Sequence, residues 1–252
     1  MPSASTSSLT KPSSLAPKCA MVLAAGFGKR MRPLTATTPK PLIEVAGQSL
    51  INHGFDRLQA AGIEKAVVNV HYLADLVEVH VQNRAAPEIV ISDERGQLLD
   101  TGGGIAKALP LLGPDPFVLL NSDSFWIEGT KPNLTRLMET WDDTRMDALL
   151  MLSNTVEAVG YDGPGDFFMN GEGQLTSRIE RSVAPFVYAG VAIIHPRLFA
   201  NAPEGPFSLV KLFERAIEDE RLYGIRMEGL WLHVGTPRAI GDAERAIKAS
   251  SD

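Results

Sequence analysis

The strongest constraint on this chain's fold is an alternation. Short apolar runs, "CAMVLAAG", "KAVVNVH", "EIVISD" and "PFVLLNSDSFW", recur along the first half, separated by segments with helical spacing. Apolar runs of this length read as buried strands. Between the first two, "SLINHGFDRLQAAG" puts Leu50, Phe55 and Leu58 on one helical face, with Ser49 as N-cap and Gly62 as stop. "LADLVEVHVQ" reads as a second helix, and "TGGGIAKALPLL" as a loop entering a third. Strand and helix in alternation predict a mostly parallel sheet with helices on both faces. Ligands of such sheets gather at the carboxyl ends of the strands. Here those ends carry Ala25-Gly26, Asp93-Glu94 and Asn121-Ser122-Asp123.

The second half is less regular. "DALLMLS" and "FVYAGVAIIH" read as strands, and "GDFFMNGEGQLTSRIER" as a hairpin about Gly171-Glu172-Gly173. "SLVKLFERAIEDE" is a helix, and "LYGIRMEG" with "LWLHVG" reads as a second hairpin. "TPRAIGDAERAIKA" closes the chain as a helix, with Thr236 as N-cap and Pro237 at its first position. Added strands imply a mixed sheet. One domain over residues 18–252, with a substrate-binding insertion at about 150–230, accounts for the absence of a clean linker. The Ser/Thr/Pro-rich residues 1–17 read as a disordered extension.

Bulk composition removes several functions. The net charge is −6, without a block of one sign, which argues against a nucleic-acid surface. No apolar stretch approaches the ~20 residues of a membrane helix. A single cysteine, Cys19, rules out a disulfide framework within the chain and a cysteine-based zinc site, and fits a cytoplasmic protein. Monomer and homo-oligomer both stay open.

The richest segment is "LAAGFGKRMRPLTATTPKPL". A buried strand ends in Gly26 and Gly28, followed by Lys29, Arg30, Arg32 and Lys40. Glycines let backbone amides approach an anion, and clustered cations neutralise a polyphosphate. Pro33, Pro39 and Pro41 forbid an immediate helix. Met31 stands where a dinucleotide fingerprint needs its third glycine, and the spacing of a P-loop is absent.

Taken with "PKPLIEVAGQSLI", "TGGGIAKALPLLG", "NSD" and "VGTP", this segment resembles the signature of the sugar-1-phosphate nucleotidyltransferases, the NDP-sugar pyrophosphorylases. Within that group it most resembles the N-acetylmuramate-1-phosphate uridylyltransferases of bacterial peptidoglycan recycling. Mannose-1-phosphate guanylyltransferases are the nearest alternative, and a weakly active nucleotide-sugar-binding relative is a second. The resemblance implies a Rossmann-like three-layer α/β sandwich, the nucleotide-diphospho-sugar transferase fold. It implies small-molecule substrates, an NTP and a sugar 1-phosphate, and Mg²⁺ as cofactor with Mn²⁺ as the alternative ion. By resemblance Leu23, Ala24, Ala25, Gly26, Gly28 and Lys29 cradle the nucleotide, together with Asn121. Arg30 holds the β- and γ-phosphates, Lys40 the α-phosphate and sugar phosphate, and Asp123 the metal. Gly102 and Gly103 are implied as base contacts, with Glu94 helping to read the base. Arg181, Tyr188 and Gly190 are implied on the sugar side. Asp166 matches a Gly-Asp-Phe stretch without an assigned role.

Two positions depart from the family pattern. Ser122 stands where glycine is usual, and His233, in "WLHVGTP", where the family carries a second metal-binding aspartate. A general base is not needed against an ionised sugar phosphate. Mg²⁺ prefers oxygen, whereas imidazole favours Mn²⁺, Co²⁺ or Zn²⁺. The expectation is that Asp123 and the substrate phosphates hold the ion, with His233 touching it or its bound water.

Overall fold

The computed structural model describes residues 16–251. The extension expected over residues 1–17 lies outside the described residues apart from Ala16 and Pro17. Thirteen strands and six α-helices follow in chain order. The first half contains β1 (Cys19–Leu23), β2 (Glu44–Val45), β3 (Gln48–Ser49), α1 (Leu50–Ala60), β4 (Lys65–Val70) and α2 (Ala74–Gln82). It continues through β5 (Glu88–Asp93), α3 (Asp100–Leu112), β6 (Phe117–Asn121), β7 (Ser124–Glu128) and α4 (Asn133–Thr140). The second half contains β8 (Ala148–Asn154), β9 (Phe167–Met169), β10 (Leu175–Ser177), β11 (Phe186–Ile194), α5 (Val210–Glu218), β12 (Leu222–Arg226), β13 (Gly229–His233) and α6 (Pro237–Ser251).

The alternating half builds as expected. Strand β1 lies between β4 and β6, parallel to both, and β5 extends the parallel set beyond β4. Side chains alternate across this sheet because successive Cβ atoms point to opposite faces. Ala20 and Val22 pack with Phe55, Val68 and Leu120 on the face covered by α1, α2 and α4. Met21 packs with Val67, Ile105 and Leu119 on the face covered by α3 and α5. Each such large side chain, fully buried, contributes about 1.5–3 kcal/mol. A third cluster, Met31, Val45, Leu50, Phe125 and Leu232 with Ala243 of α6, lies beneath the β7–β13 pair.

The segment expected as an insertion builds the other half of the same sheet. Strand β11 pairs antiparallel with β6 on one side and with β8 on the other, and β12 runs parallel to β8. The result is the mixed, mostly parallel sheet of a Rossmann-like three-layer fold. Strands β9 and β10 form the predicted hairpin, with Met169 opposite Leu175. Among the described residues no helix is long and apolar enough to cross a membrane.

Three expectations are corrected. "PFVLLNSDSFW" is two strands, not one. Strand β1 ends at Leu23, and the backbone amide and hydroxyl of Ser122 both donate to the Leu23 carbonyl. The chain turns there and β7 leaves to pair with β13, which sets His233 opposite Ser124. For the same reason "LYGIRMEG" and "LWLHVG" do not form a hairpin, since β12 belongs to β8 and β13 to β7. Finally, the glycines of "TGGGI" do not precede a helix; they lie within the first turns of α3.

Candidate active site

The carboxyl ends of β1 and β6 and the loop entering α3 surround a cavity of about 370 Å³. Its walls include Leu23, Ala24, Ala25, Gly26, Gly28 and Lys29, the stretch expected to cradle a nucleotide, along with Arg30, Lys40, Asn121 and Asp123. Residues far apart in sequence converge here because β1 and β6 are adjacent and parallel, so their ends lie side by side.

The glycine loop is held by its surroundings. Gly28 has φ +61, and a Cβ there would stand 2.9 Å from Cγ2 of Thr35 and 3.1 Å from Cβ of Lys40. Its carbonyl accepts from the buried Thr35 hydroxyl at 2.9 Å and from the Met31 amide. Lys29, Arg30 and Met31 form a 3-10 turn in which Met31 is buried and both cations point outward. The Arg30 side chain makes no hydrogen bond or ion pair with any described residue. Lys40 starts another 3-10 turn, Lys40–Leu42, and reaches across the cavity, where Nζ lies 2.8 Å from Oδ2 of Asp123. Lys40 is 12% and Asp123 25% exposed at the side chain, so water screens the pair only partly. Burial pushes the Asp123 carboxyl upward, but Lys40, His233 and Arg30 outweigh it and hold its pKa below the ordinary aspartate value. Asp123 is therefore an anion at neutral pH.

His233 joins the site through the β7–β13 pair. The Val234 amide donates to the Asp123 carbonyl, and the His233 amide to the Val159 carbonyl. The ring lies 5.3 Å from that of Trp231, and a Cβ on Gly235, which lines the cavity, would stand 2.6 Å from Nε2. Nδ1 is buried without a hydrogen-bond partner. Burial, helped by Lys40 and Arg30 and opposed by Asp123, lowers the pKa, so the imidazole is neutral at pH 7.

A buried network sets the loop that enters α3. The Ala24 amide donates to Oδ1 of Asn69 at 2.8 Å, and Nδ2 of Asn69 donates to Oε1 of Glu94, also at 2.8 Å. Oε2 of Glu94 accepts from the Leu99 amide at 3.1 Å. Gly104 gives this network its space, because a Cβ there would stand 2.7 Å from Oε1 of Glu94. Glu94 is fully buried and braces the loop instead of facing a base. Gly102 and Gly103 are likewise not placed as base contacts: both amides donate to the Phe207 carbonyl, at 2.9 and 3.1 Å. The residues that do line this end of the cavity are Asn69, Leu98, Asp100 and Thr101. Asn69 was detectable in the sequence as the one polar residue inside the apolar run "KAVVNV". A buried amide requires partners.

On the sugar side the placements diverge. Gly190 sits in the register shift of β11 and packs beside Asn121, so it reaches the site. Tyr188, two residues earlier, borders a second cavity of about 280 Å³. Arg181 does not come to either cavity; its side chain is 92% exposed, with only Glu180 nearby at 3.9 Å. Arg178, three residues before it, turns inward in its stead. Asp166 accepts the Tyr188 amide at 2.9 Å, so it braces β11. Trp126 is a core residue, 1% exposed. Ser122, turned back onto Leu23, leaves its hydroxyl committed to the fold.

The family model described as nucleotidyl transferase matches residues 19–161. An N-acetylmuramate alpha-1-phosphate uridylyltransferase of Caulobacter vibrioides is 52% identical over 238 residues, covering 93% of this chain and 98% of that protein. Another, of Neisseria meningitidis, is 35% identical over 230 residues, covering 89% and 96%. Among solved structures, a UDP-glucose pyrophosphorylase complexed with UDP-glucose matches with a TM-score of 0.74 over 93% of this chain and 99% of that one; at 16% identity this is a likeness of fold.

Proposed function

The chain belongs to the nucleotidyl transferase family, and from that premise we propose that it joins UTP to N-acetylmuramate 1-phosphate, giving UDP-N-acetylmuramate and pyrophosphate. The observation that carries the reading is the convergence of Arg30, Lys40 and Asp123 on one cavity behind a glycine loop. The uridylyl and muramate specificity rests on the two uridylyltransferase relatives.

In this reaction a sugar phosphate oxygen attacks the α-phosphorus and pyrophosphate leaves in line. Positioning and charge neutralisation supply the catalysis. The glycine loop offers backbone amides to the triphosphate. Arg30, exposed and uncommitted, has the planar fork suited to the β- and γ-phosphates and the departing pyrophosphate. Lys40 sits between Asp123 and the loop and neutralises charge where the two phosphates meet.

The residues fit a divalent cation. Among the described residues no cluster of three or more His, Cys, Asp or Glu gathers anywhere, so substrate phosphates and water would complete the coordination. Mg²⁺ is commonly held in this way, by one or two carboxylates plus phosphate oxygens. Asp123 would hold the ion, with the neutral His233 touching it or its bound water. When bound there, the ion would supply further charge neutralisation for the phosphates. Mn²⁺ suits the imidazole better and is the alternative. A cytoplasmic role in peptidoglycan recycling follows from this choice of substrate.

A coupled pyrophosphate-release assay across UTP, GTP, CTP and dTTP with several sugar 1-phosphates tests the reading. Preference for UTP with N-acetylmuramate 1-phosphate is expected. Preference for GTP with mannose 1-phosphate overturns the specificity. Nucleotide-sugar binding without pyrophosphate release at any metal concentration overturns the activity.

A further inference from the structure

The second cavity is left unused by the chemistry above. It is bordered by Asp166, Phe167, Arg178, Tyr188, Phe213 and Glu214 among others. Its lining comes close to that of the first cavity at two points. Tyr188 lies on β11 close to Gly190, which packs on Asn121, and the charge of Asp123 reaches the Tyr188 phenol. At the other point the Leu209 amide donates to Oγ1 of Thr101 at 2.9 Å; Thr101 borders the first cavity and Val210 the second.

Two of its polar groups lack their full complement of partners. The Tyr188 hydroxyl is buried with no hydrogen-bond partner. Burying such a group without a partner is unfavourable, which makes it a site for a ligand atom. Burial and Asp123 push the phenol pKa upward, so the hydroxyl keeps its proton. Arg178 spends Nε on the Gly165 carbonyl and Nη1 on the Ile179 and Ser182 carbonyls. Nη2 has no partner among the described residues. Arg178 is also the only cation among the described residues bordering this cavity. Of the two carboxylates there, Asp166 is engaged by the Tyr188 amide, and Glu214 is exposed on α5. An arginine fixed on three carbonyls is pre-oriented, and an arginine and a hydroxyl donor bordering the same cavity suit a carboxylate.

We propose that this cavity reads the acidic substituent of the acceptor sugar, with Nη2 of Arg178 and the Tyr188 hydroxyl donating to its carboxylate. The inference rests on the proposed acceptor, N-acetylmuramate 1-phosphate, whose lactyl ether ends in a carboxylate. Phe167 and Phe213 provide the apolar wall for the lactyl methyl group.

The test compares kcat/KM for N-acetylmuramate 1-phosphate and N-acetylglucosamine 1-phosphate, which lacks only the lactyl group. Arg178→Met and Tyr188→Phe should each lower the muramate-to-glucosamine ratio by about 10- to 100-fold, the loss expected for a hydrogen bond to a charged group. Arg178→Lys, which keeps the charge, should lower it less than Arg178→Met. Tyr188→Phe removes an atom that bonds nothing in the fold, so it stays informative even where Arg178→Met fails to fold. Equal losses on both acceptors, or an unchanged ratio, overturn the inference while the proposed function stands. A wild-type protein that turns over other sugar phosphates but not the muramate overturns both.

Discussion

Lys40 and Asp123, 83 residues apart in the chain, form a 2.8 Å ion pair across the cavity behind the glycine loop. A cation arriving at Asp123 must compete with the ammonium already there. Once released, that ammonium is free to serve the phosphates. Lys40→Met should therefore have two opposed effects. The metal concentration at half-maximal rate should fall, because the competitor is gone. The maximal rate should fall about 10²- to 10³-fold, because a positive charge at the transition state is lost. Metal titrations of the initial rate separate the two effects, and a rise in the metal requirement would contradict this competition and make Lys40 a group that positions Asp123.

Arg30 contributes nothing visible to the fold, whereas Gly28 beside it is fixed by conformation. Arg30→Ala should lower kcat/KM about 10²- to 10³-fold and leave the melting temperature unchanged. Gly28→Ala should lower both activity and stability, the latter by about 1–3 kcal/mol, since it puts a side chain at φ +61 against Thr35 and Lys40. Thermal melts alongside rates distinguish the two. A large loss of stability in Arg30→Ala would point to a structural role.

His233 titrates below its ordinary value because it is buried. The neutral ring has a lone pair for a metal or its bound water, and loses it as pH falls through that lowered pKa. At sub-saturating metal, the acid limb of kcat/KM should accordingly lie below pH 6.5, the unperturbed histidine value. His233→Asp should move that limb further down and reduce the Mg²⁺ requirement. His233→Ala should raise the requirement. Unchanged rate and metal dependence in His233→Ala would make the residue a packing group.

The Ala24–Asn69–Glu94–Leu99 network ties the glycine loop to the loop entering α3. Asn69→Ala should strand two buried partners and destabilise by about 2–3 kcal/mol. Gly104→Ala should do comparable damage by forcing Glu94 aside. Both should raise the KM for the nucleotide more than that for the sugar phosphate. Equal rises in both KM values would place the effect outside the nucleotide pocket.

The parallel half of the sheet was legible because β1, β4 and β6 are buried on both faces and read as continuous apolar runs. That the glycine loop would lie at a strand end was legible because glycines, cations and the end of an apolar run fall within a few residues of one another. Long-range partners were not. Nothing local in "DTGGGIAK" shows that the amides of Gly102 and Gly103 meet Phe207, more than 100 residues away. Nor does "TSRIERSV" show which arginine turns inward; the 3.9 Å pair of Arg181 with Glu180 leaves it at the surface, while Arg178 fastens onto three carbonyls. The break between β6 and β7 depended on where β1 ends, which is a property of the pairing and not of either strand.

Pyrophosphate release from UTP and N-acetylmuramate 1-phosphate, measured for the wild type and for Asp123→Ala across Mg²⁺ and Mn²⁺ concentrations, bears most directly on the chemistry assigned to this cavity. Metal-dependent release by the wild type, and its loss in a folded Asp123→Ala protein at every metal concentration, is the expected result. Release that persists undiminished in Asp123→Ala would contradict it.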